Sequence, residues 1–377
     1  MSMTATPLMS ICRPKQWPTI TTQQLMSSGF PVYGANGKIG YYDQYNHAQP
    51  TILITCRGAT CGTLNICEPQ SYVTGNAMAL DELDSDLYDL KYIFYALLAR
   101  GVKDTISGTA QPQITRESLA RVTLPIPRTI EEQRRIAHIL DRADAIRRKR
   151  KQAIALTEQL LRSTFLEIFG DPVTNPKAWP EKPLSKLADV VSGVAKGKQY
   201  GQVATREVPY MRVANVQDGH LNLSEIKTIS VSAEEESRFQ LQMGDVLLTE
   251  GGDPDKLGRG TVWNNEVQGC IHQNHIFRVR ITDEVTPHFL SAQIGSQRGK
   301  RYFLSAAKQT TGIATINLTQ LKSFPVLVPP PFLQEKFENQ RLAIAAQLEL
   351  QAKASEQTEA LFASLVHSVF PSQSRNG

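Results

Sequence analysis

The nearest approach in this sequence to reactive chemistry is P-P-P-F at residues 329–332. An amino-methyltransferase grips an exocyclic amine and stacks a flipped base with a D/N-P-P-Y/F loop. Here proline stands where the hydrogen-bond acceptor would have to be. The same place about 200 residues earlier reads P-I-P-R, at 125–128, so the stretch is read as a stiff extended connector before a helix. A nucleotide-phosphate loop, G-x-x-x-x-G-K-[ST], is missing; G-G-D-P-D-K-L-G at 251–258 holds glycines and a lysine in another order. Pro254-Asp255 is not followed by the E-x-K of a metal-dependent nuclease. His272 and His275 form H-x2-H, but in an alternating strand they project to opposite faces, which favours structural or nucleic-acid-facing roles. Cys56, Cys61 and Cys67, with His47 upstream, lack the tight C-x2-C hook of structural zinc sites. They are read as buried reduced thiols. No catalytic or metal-ligating residue is assigned.

Other residues have the chemistry to read nucleic acid. Arginine offers paired donors to guanine, and asparagine or glutamine offers a donor and an acceptor to adenine; lysine, hydroxyls and free backbone N–H groups hold phosphate. Such residues sit in glycine-rich loops. In the first half they are Tyr33, Asn36 and Lys38 in Y-G-A-N-G-K, Arg57 and Thr60 in R-G-A-T, and Asn76 in T-G-N-A. In the second half they are Arg212, Asn215, Lys256, Arg259, Gln273, Asn274 and His275, with Lys308, Gln309 and Thr310 in A-K-Q-T-T-G. Beside each stands the plainer reading of a satisfied turn or surface side chain; for Asn36 that is a type I′ turn before Gly37. The basic run Arg147, Arg148, Lys149, Arg150 and Lys151 is read as docking an acidic partner, with phosphate binding as the alternative.

The elements that position these loops come in two copies. Residues 123–136 read T-L-P-I-P-R-T-I-E-E-Q-R-R-I, and 325–337 read P-V-L-V-P-P-P-F-L-Q-E-K-F: a proline-ended strand, then the start of a long helix. Thr157, Glu158, Leu160, Ser163 and Phe169 recur 201 positions later as Thr358, Glu359, Leu361, Ser364 and Phe370. A repeat of this length means two similar units. Spacing predicts a first block over 1–129, a helix over 131–168 stopped by Gly170-Asp171-Pro172, a second block over 172–331, and a second helix over 332–370. The expected seams are Ile136, Ile139, Ala143, Ile146, Arg150, Ala153, Thr157 and Leu160, widened by Leu140, Ile154, Leu161 and Ile168, and Phe337, Gln340, Ile344, Gln347, Gln351, Ala354, Thr358 and Leu361. Pairing the two stripes, parallel or antiparallel, would cover both. Roughly 38 residues at 1.5 Å each span about 57 Å, near 17 base pairs of duplex.

The 377 residues give room for two cores. A net charge of +5 permits an anionic partner without requiring one. An odd count of five cysteines argues against a disulfide framework. There is neither a long apolar run nor a signal-like start, so the cytoplasm is the expected location.

With that order in place, the chain resembles the specificity subunit of type I restriction–modification systems. The resemblance rests on P-V-Y-G-A-N-G (31–37), R-G-A-T-C-G-T (57–63), E-E-Q-R-R-I-A-H-I-L-D (131–141), F-G-D-P (169–172), V-P-Y-M-R-V-A-N-V-Q-D-G (208–219), G-D-V-L-L-T-E-G-G-D-P-D-K-L-G-R (244–259) and H-Q-N-H (272–275). It implies an α+β fold: two similar mixed α/β target-recognition domains (1–129 and 172–331) separated by two long helices paired as an antiparallel coiled coil with pseudo-two-fold symmetry (central spacer 130–171; distal helix and tail 332–377). It also implies a non-catalytic reader of a bipartite double-stranded DNA site that docks two methyltransferase subunits and, in restriction complexes, restriction subunits. No cofactor is expected in this chain; S-adenosylmethionine, and ATP and Mg where the complex restricts, would belong to the partners. Two further readings of the residues remain: a methyltransferase or nuclease with degenerate motifs, and a coiled-coil scaffold without DNA.

Overall fold

The computed structural model describes residues 3–35, 37–108, 111–253, 257–282, 284–310 and 313–371, apart from the side chains of 309, 310 and 313. It divides into two compact units, one of residues 1–154 and 351–377, the other of 155–350. Each unit takes the beginning of one long helix and the end of the other.

Both units use one strand plan. In the first, a four-stranded antiparallel sheet runs in the order Arg13–Gln16, Ala77–Asp81, Ile52–Thr55, Leu64–Ile66. In the second, the order is Ala188–Ser192, Ile276–Ile281, Val246–Thr249, Gly260–Val262. The inner strands I-L-I-T and V-L-L-T are buried at every position, which is why they read as unbroken apolar runs instead of alternating ones. Beside each lies a smaller sheet with a hairpin and one short parallel neighbour. Gly37–Tyr42, Phe30–Gly34 and Tyr72–Val73 form it in the first unit. Lys227–Ser232, Thr205–Met211 and Ile271–His272 form it in the second. The proline-ended strands Thr123–Pro127 and Pro325–Leu327 each pair antiparallel with a strand from the start of their own block.

Each proline-ended strand leads into a long helix, Ile130–Phe169 or Pro331–Val369. A buried glutamine in the first turn ties each helix to its block. Gln133 accepts from the Asp89 amide and donates to the Leu87 carbonyl, at the N-terminus of the helix Leu90–Arg100. Gln334 accepts from the Thr286 amide and donates to the Glu284 and Pro329 carbonyls, at the N-terminus of the helix Pro287–Gly295. These carboxamides satisfy backbone groups that helix ends would otherwise bury unpaired.

The long helices meet head to tail within each unit. Ile136, Ala137 and Leu140 share the first core with Phe362 and Phe370, where Phe370 lies 5.6 Å from Tyr92 and Phe362 lies 6.3 Å from Tyr95. Phe165 and Phe169 each lie 5.6 Å from Phe337 in the second core. The antiparallel arrangement of the fold class therefore holds, but the expected seam is out of phase in places. Ile139, Ile146 and Leu160 are 44%, 51% and 52% exposed, whereas Leu140 and Ile168, read as wideners, are buried. On the distal helix Gln340, Gln347 and Leu361 are exposed, while Phe337, Ile344 and Phe362 are buried. One residue on a helix is about 100° of rotation. The stripe is polar in its middle, at Asp144 and Arg147, and this hides its phase in the sequence. None of the described helices is long and apolar enough to cross a membrane.

Candidate nucleic-acid interface

The loops are positioned by a junction that both units build with the same backbone bonds. The residue after the buried inner strand, Cys56 or Glu250, donates its amide to Asn76 (3.1 Å) or His275 (3.0 Å) and accepts from Ile114 (3.0 Å) or Ile316 (2.9 Å). One residue further, Arg57 bridges Gln113 and Gly251 pairs with Thr315; Ser107 and Lys308 lie on the other side of those partners. The connection from the parallel strand is matched too: Thr74 donates to the Tyr33 carbonyl, and Gln273 to that of Met211. Arg57 thus takes the place of Gly251, Asn76 that of His275, Gln113 that of Thr315, and Ser107 that of Lys308.

Sequence reading singled out both strand ends but not the third loop that meets them. Gln113 and Thr315 were missed. A signal was available: Q-I-T-R-E-S-L at 113–119 parallels T-I-N-L-T-Q-L at 315–321, and each opens a short helix with a capping box, on Thr115 or Asn317.

In the first unit Arg57 and Gln113 are exposed and Asn76 is half-buried. The Thr55 and Thr60 hydroxyls both donate to the Ala35 carbonyl, at 2.6 and 3.3 Å, drawing the R-G-A-T loop to the tip of the 30–42 hairpin. Asn36, at that tip, lies outside the described residues. Tyr33 is a correction: it is buried and its hydroxyl bonds Glu68, which also takes Lys38 at 3.3 Å. This cluster holds the hairpin in place. Cys56 and Cys67 are buried with their thiol pKa values raised by desolvation, and His47 bonds Asp81 and Asn46.

In the second unit Asn215 is likewise a fold residue. It is 2% exposed, accepts from the Arg212 amide and donates to the Asn222 and Glu225 carbonyls. Arg212 pairs with Glu225 at 2.8 Å, and Arg259 reaches Gln217 at 3.1 Å. His272 is fully buried at the end of the strand Ile271–His272, and His275 is exposed in the turn that follows, so the two differ in burial but not by the strand alternation expected from the sequence. Gln273 and Asn274 are half-buried, with side chains that bond no described residue, and Lys308 is exposed. Lys256 lies outside the described residues, as do the side chains of Gln309 and Thr310. At the junction a cavity of about 370 Å³ opens between Val213, Glu250, Gly251, Asp253, His275 and Thr315. His275 Nδ1 lies 2.6 Å from Glu250 Oε2. A Cβ on Gly251 would come within 2.7 Å of the Thr315 side chain, so only glycine leaves this space open.

The basic run on the central helix has partners inside the first unit. Arg147 bonds Asp144 and Glu359 and lies 4.6 Å from the centre of the Phe362 ring; Arg148 pairs with Asp144 and Lys151 with Glu359. Arg150 is half-buried and Lys149 exposed.

A mixed α/β block built twice with one strand topology, each copy carrying the same three-loop junction, defines a duplicated scaffold. The family described as type I restriction modification DNA specificity domain matches residues 7–156. The type I restriction enzyme StySPI specificity subunit of Salmonella potsdam is 23% identical over 74% of this chain and 59% of its own length. The EcoKI specificity subunit of Escherichia coli K12 is 24% identical over 64% of this chain and 56% of its own. The chain thus spans less than two thirds of these curated relatives. Among solved structures, the type I restriction–modification S subunit from M. genitalium superposes with a TM-score of 0.60 at 16% identity, over 98% of this chain and 96% of that one. A second, from work on complex assembly and conformational transition of the type I R-M system, gives 0.54 at 15% identity, over 98% of both chains. Residues 7–156 thus match the type I restriction modification DNA specificity domain, and the whole chain shares the fold of the solved S subunits.

Proposed function

We propose that this chain is a cytoplasmic, sequence-specific DNA-binding subunit that reads a bipartite duplex site, one half with each block, and has no catalytic activity of its own. One observation carries this reading: the same backbone junction is built twice with different side chains. Arg57, Asn76 and Gln113 stand where Gly251, His275 and Thr315 stand in the other block. A conserved frame with exchanged side chains suits the reading of two different half-sites, because base edges are told apart by donor and acceptor pattern. Adenine-N6 methylation, with S-adenosylmethionine, falls to docked methyltransferase subunits, and any ATP- and Mg-dependent cleavage to restriction subunits. Ile139 and Ile146, exposed on the central helix beside Lys149, offer a methyltransferase more free surface than Arg147, Arg148 and Lys151, which already have partners.

The test is co-expression with a type I methyltransferase subunit, followed by genome-wide mapping of N6-methyladenine. The expected result is one split motif with a fixed unread gap, and no methylation from the purified chain given S-adenosylmethionine alone. Methylation by the isolated chain would make it an enzyme. A chain that shows no salt-dependent DNA binding, alone or in the complex, would instead be a protein scaffold.

A further inference from the structure

The two junctions differ in the sign of the group they present. In the first, Arg57 projects from the bridge to Gln113, and the preceding side chain, Cys56, is buried and bonded by Gln16. In the second, the residue matching Cys56 is Glu250, partly exposed at the cavity, and the residue matching Arg57 is Gly251, which has no side chain. A guanidinium has been exchanged for a recess holding a carboxylate.

We infer that Glu250, oriented by His275, makes the second block specific for a cytosine, whereas Arg57 makes the first specific for a guanine. This rests on the DNA-reading function proposed above. An ionised carboxylate only accepts hydrogen bonds, so a ring nitrogen of His275 must donate in the 2.6 Å contact to Oε2. That contact fixes the carboxylate at the cavity that Glu250 lines, and Oε1 has no bond to a described residue. The Glu250 carboxylate at the cavity disfavours phosphate and favours a base edge as its ligand. In the major groove cytosine presents a lone amino donor; guanine presents two acceptors and thymine one, and adenine sets its N7 lone pair beside its amine. An acceptor-only group therefore suits cytosine best. The Val213 side chain and the Thr315 methyl supply apolar wall for the C5 edge. Arg57 offers the inverse pattern, two parallel donors to guanine O6 and N7.

The experiment maps methylated adenines for the full chain in its methyltransferase complex, with wild type, Glu250→Ala, Glu250→Gln and Arg57→Ala. In wild type, an invariant C·G pair is expected in each half-site, read through its cytosine by Glu250 in one and through its guanine by Arg57 in the other. Glu250→Ala should lower discrimination at the cytosine about tenfold to a hundredfold and leave the other half-site unchanged. Glu250→Gln keeps the contact to His275 but adds a donor, so adenine should become accepted at that position; a gain of this kind cannot come from misfolding. Arg57→Ala should relax only the guanine. A split motif that keeps its full cytosine requirement in both Glu250 variants would overturn this assignment while leaving the two-reader function standing. Absence of any split motif in wild type would overturn both.

Discussion

His272 gives the second block a titratable group where the first has Val73, each at the end of the short parallel strand. The imidazole is fully buried, and its pKa is pushed down to about 4, chiefly by desolvation, with Arg278 and Arg280 adding repulsion against the opposing Ile276 carbonyl bond and Asp245. Its folded pKa thus lies below the unfolded value of about 6.5. Above that value neither state takes the proton; as pH falls from about 6.5 towards 4, the unfolded chain binds a proton that the native chain refuses. The stability share is present at neutral pH and is lost on acidification, by about 2 kcal/mol between pH 7 and pH 5. Urea unfolding of the full chain should show this, and His272→Val, the substitution the first block already carries, should remove that part of the pH dependence. An unchanged difference between pH 7 and pH 5 in the variant would show that other groups dominate. The histidine stood out in the sequence. Its depth did not, because the Gly193 backbone that covers it is distant in sequence: a Cβ on Gly193 would lie 1.9 Å from the His272 carbonyl.

The helix pairing in the first unit joins an aromatic anchor to exposed charge, and the two contribute unequally. Phe362 is 6% exposed, lies against Tyr95 and sits under the Arg147 guanidinium. Phe362→Ala should cost about 3–5 kcal/mol, the usual price of an emptied aromatic core position. Glu359 takes Arg147 at 3.3 Å and Lys151 at 2.9 Å, but its side chain is 37% exposed. Solvent screening holds Glu359→Ala below about 1 kcal/mol. Denaturant midpoints of the two variants check the order, and a larger loss from Glu359 would mean that charge closes the pair. The same helices show what was legible. Their existence and ends were, because the proline-ended strands start them and Gly170, with φ of 82°, stops the first. Their phase was not, since Asp144 occupies the buried stripe while Ile139 and Ile146 face water. The buried strands I-L-I-T and V-L-L-T were equally plain. The meeting of Arg57 with Gln113, or of Gly251 with Thr315, depends on pairing across more than 50 residues, and local pattern carries no record of it. Tyr33 and Asn215 were misread for the same reason: a polar residue in a turn signals a hydrogen bond but not its partner, here Glu68 or the 222–225 turn.

At the scale of the whole molecule, the proposed function needs each block intact and the separation of the half-sites set by the helices. Each compact unit ends between residues 154 and 155 on the central helix and between 350 and 351 on the distal one. Four residues added after Ile154, together with four added before Gln351, would leave every contact inside each unit in place. Four residues make slightly more than one turn, so the stripe keeps nearly the same face and the shift is absorbed as a local stutter. The helices lengthen by about 6 Å, close to two base-pair steps of duplex. In the methyltransferase complex, the mapped motif should keep both half-sequences and gain one or two unread base pairs between them. A matched insertion in the central helix alone should perform worse, because it shifts Phe165 and Phe169 relative to Ile136 and Leu140 while Phe337 and Phe362 keep their spacing. If the double insertion altered the half-sequences and left the gap unchanged, the helices would not be the ruler, and the gap would have to be set by the docked partners.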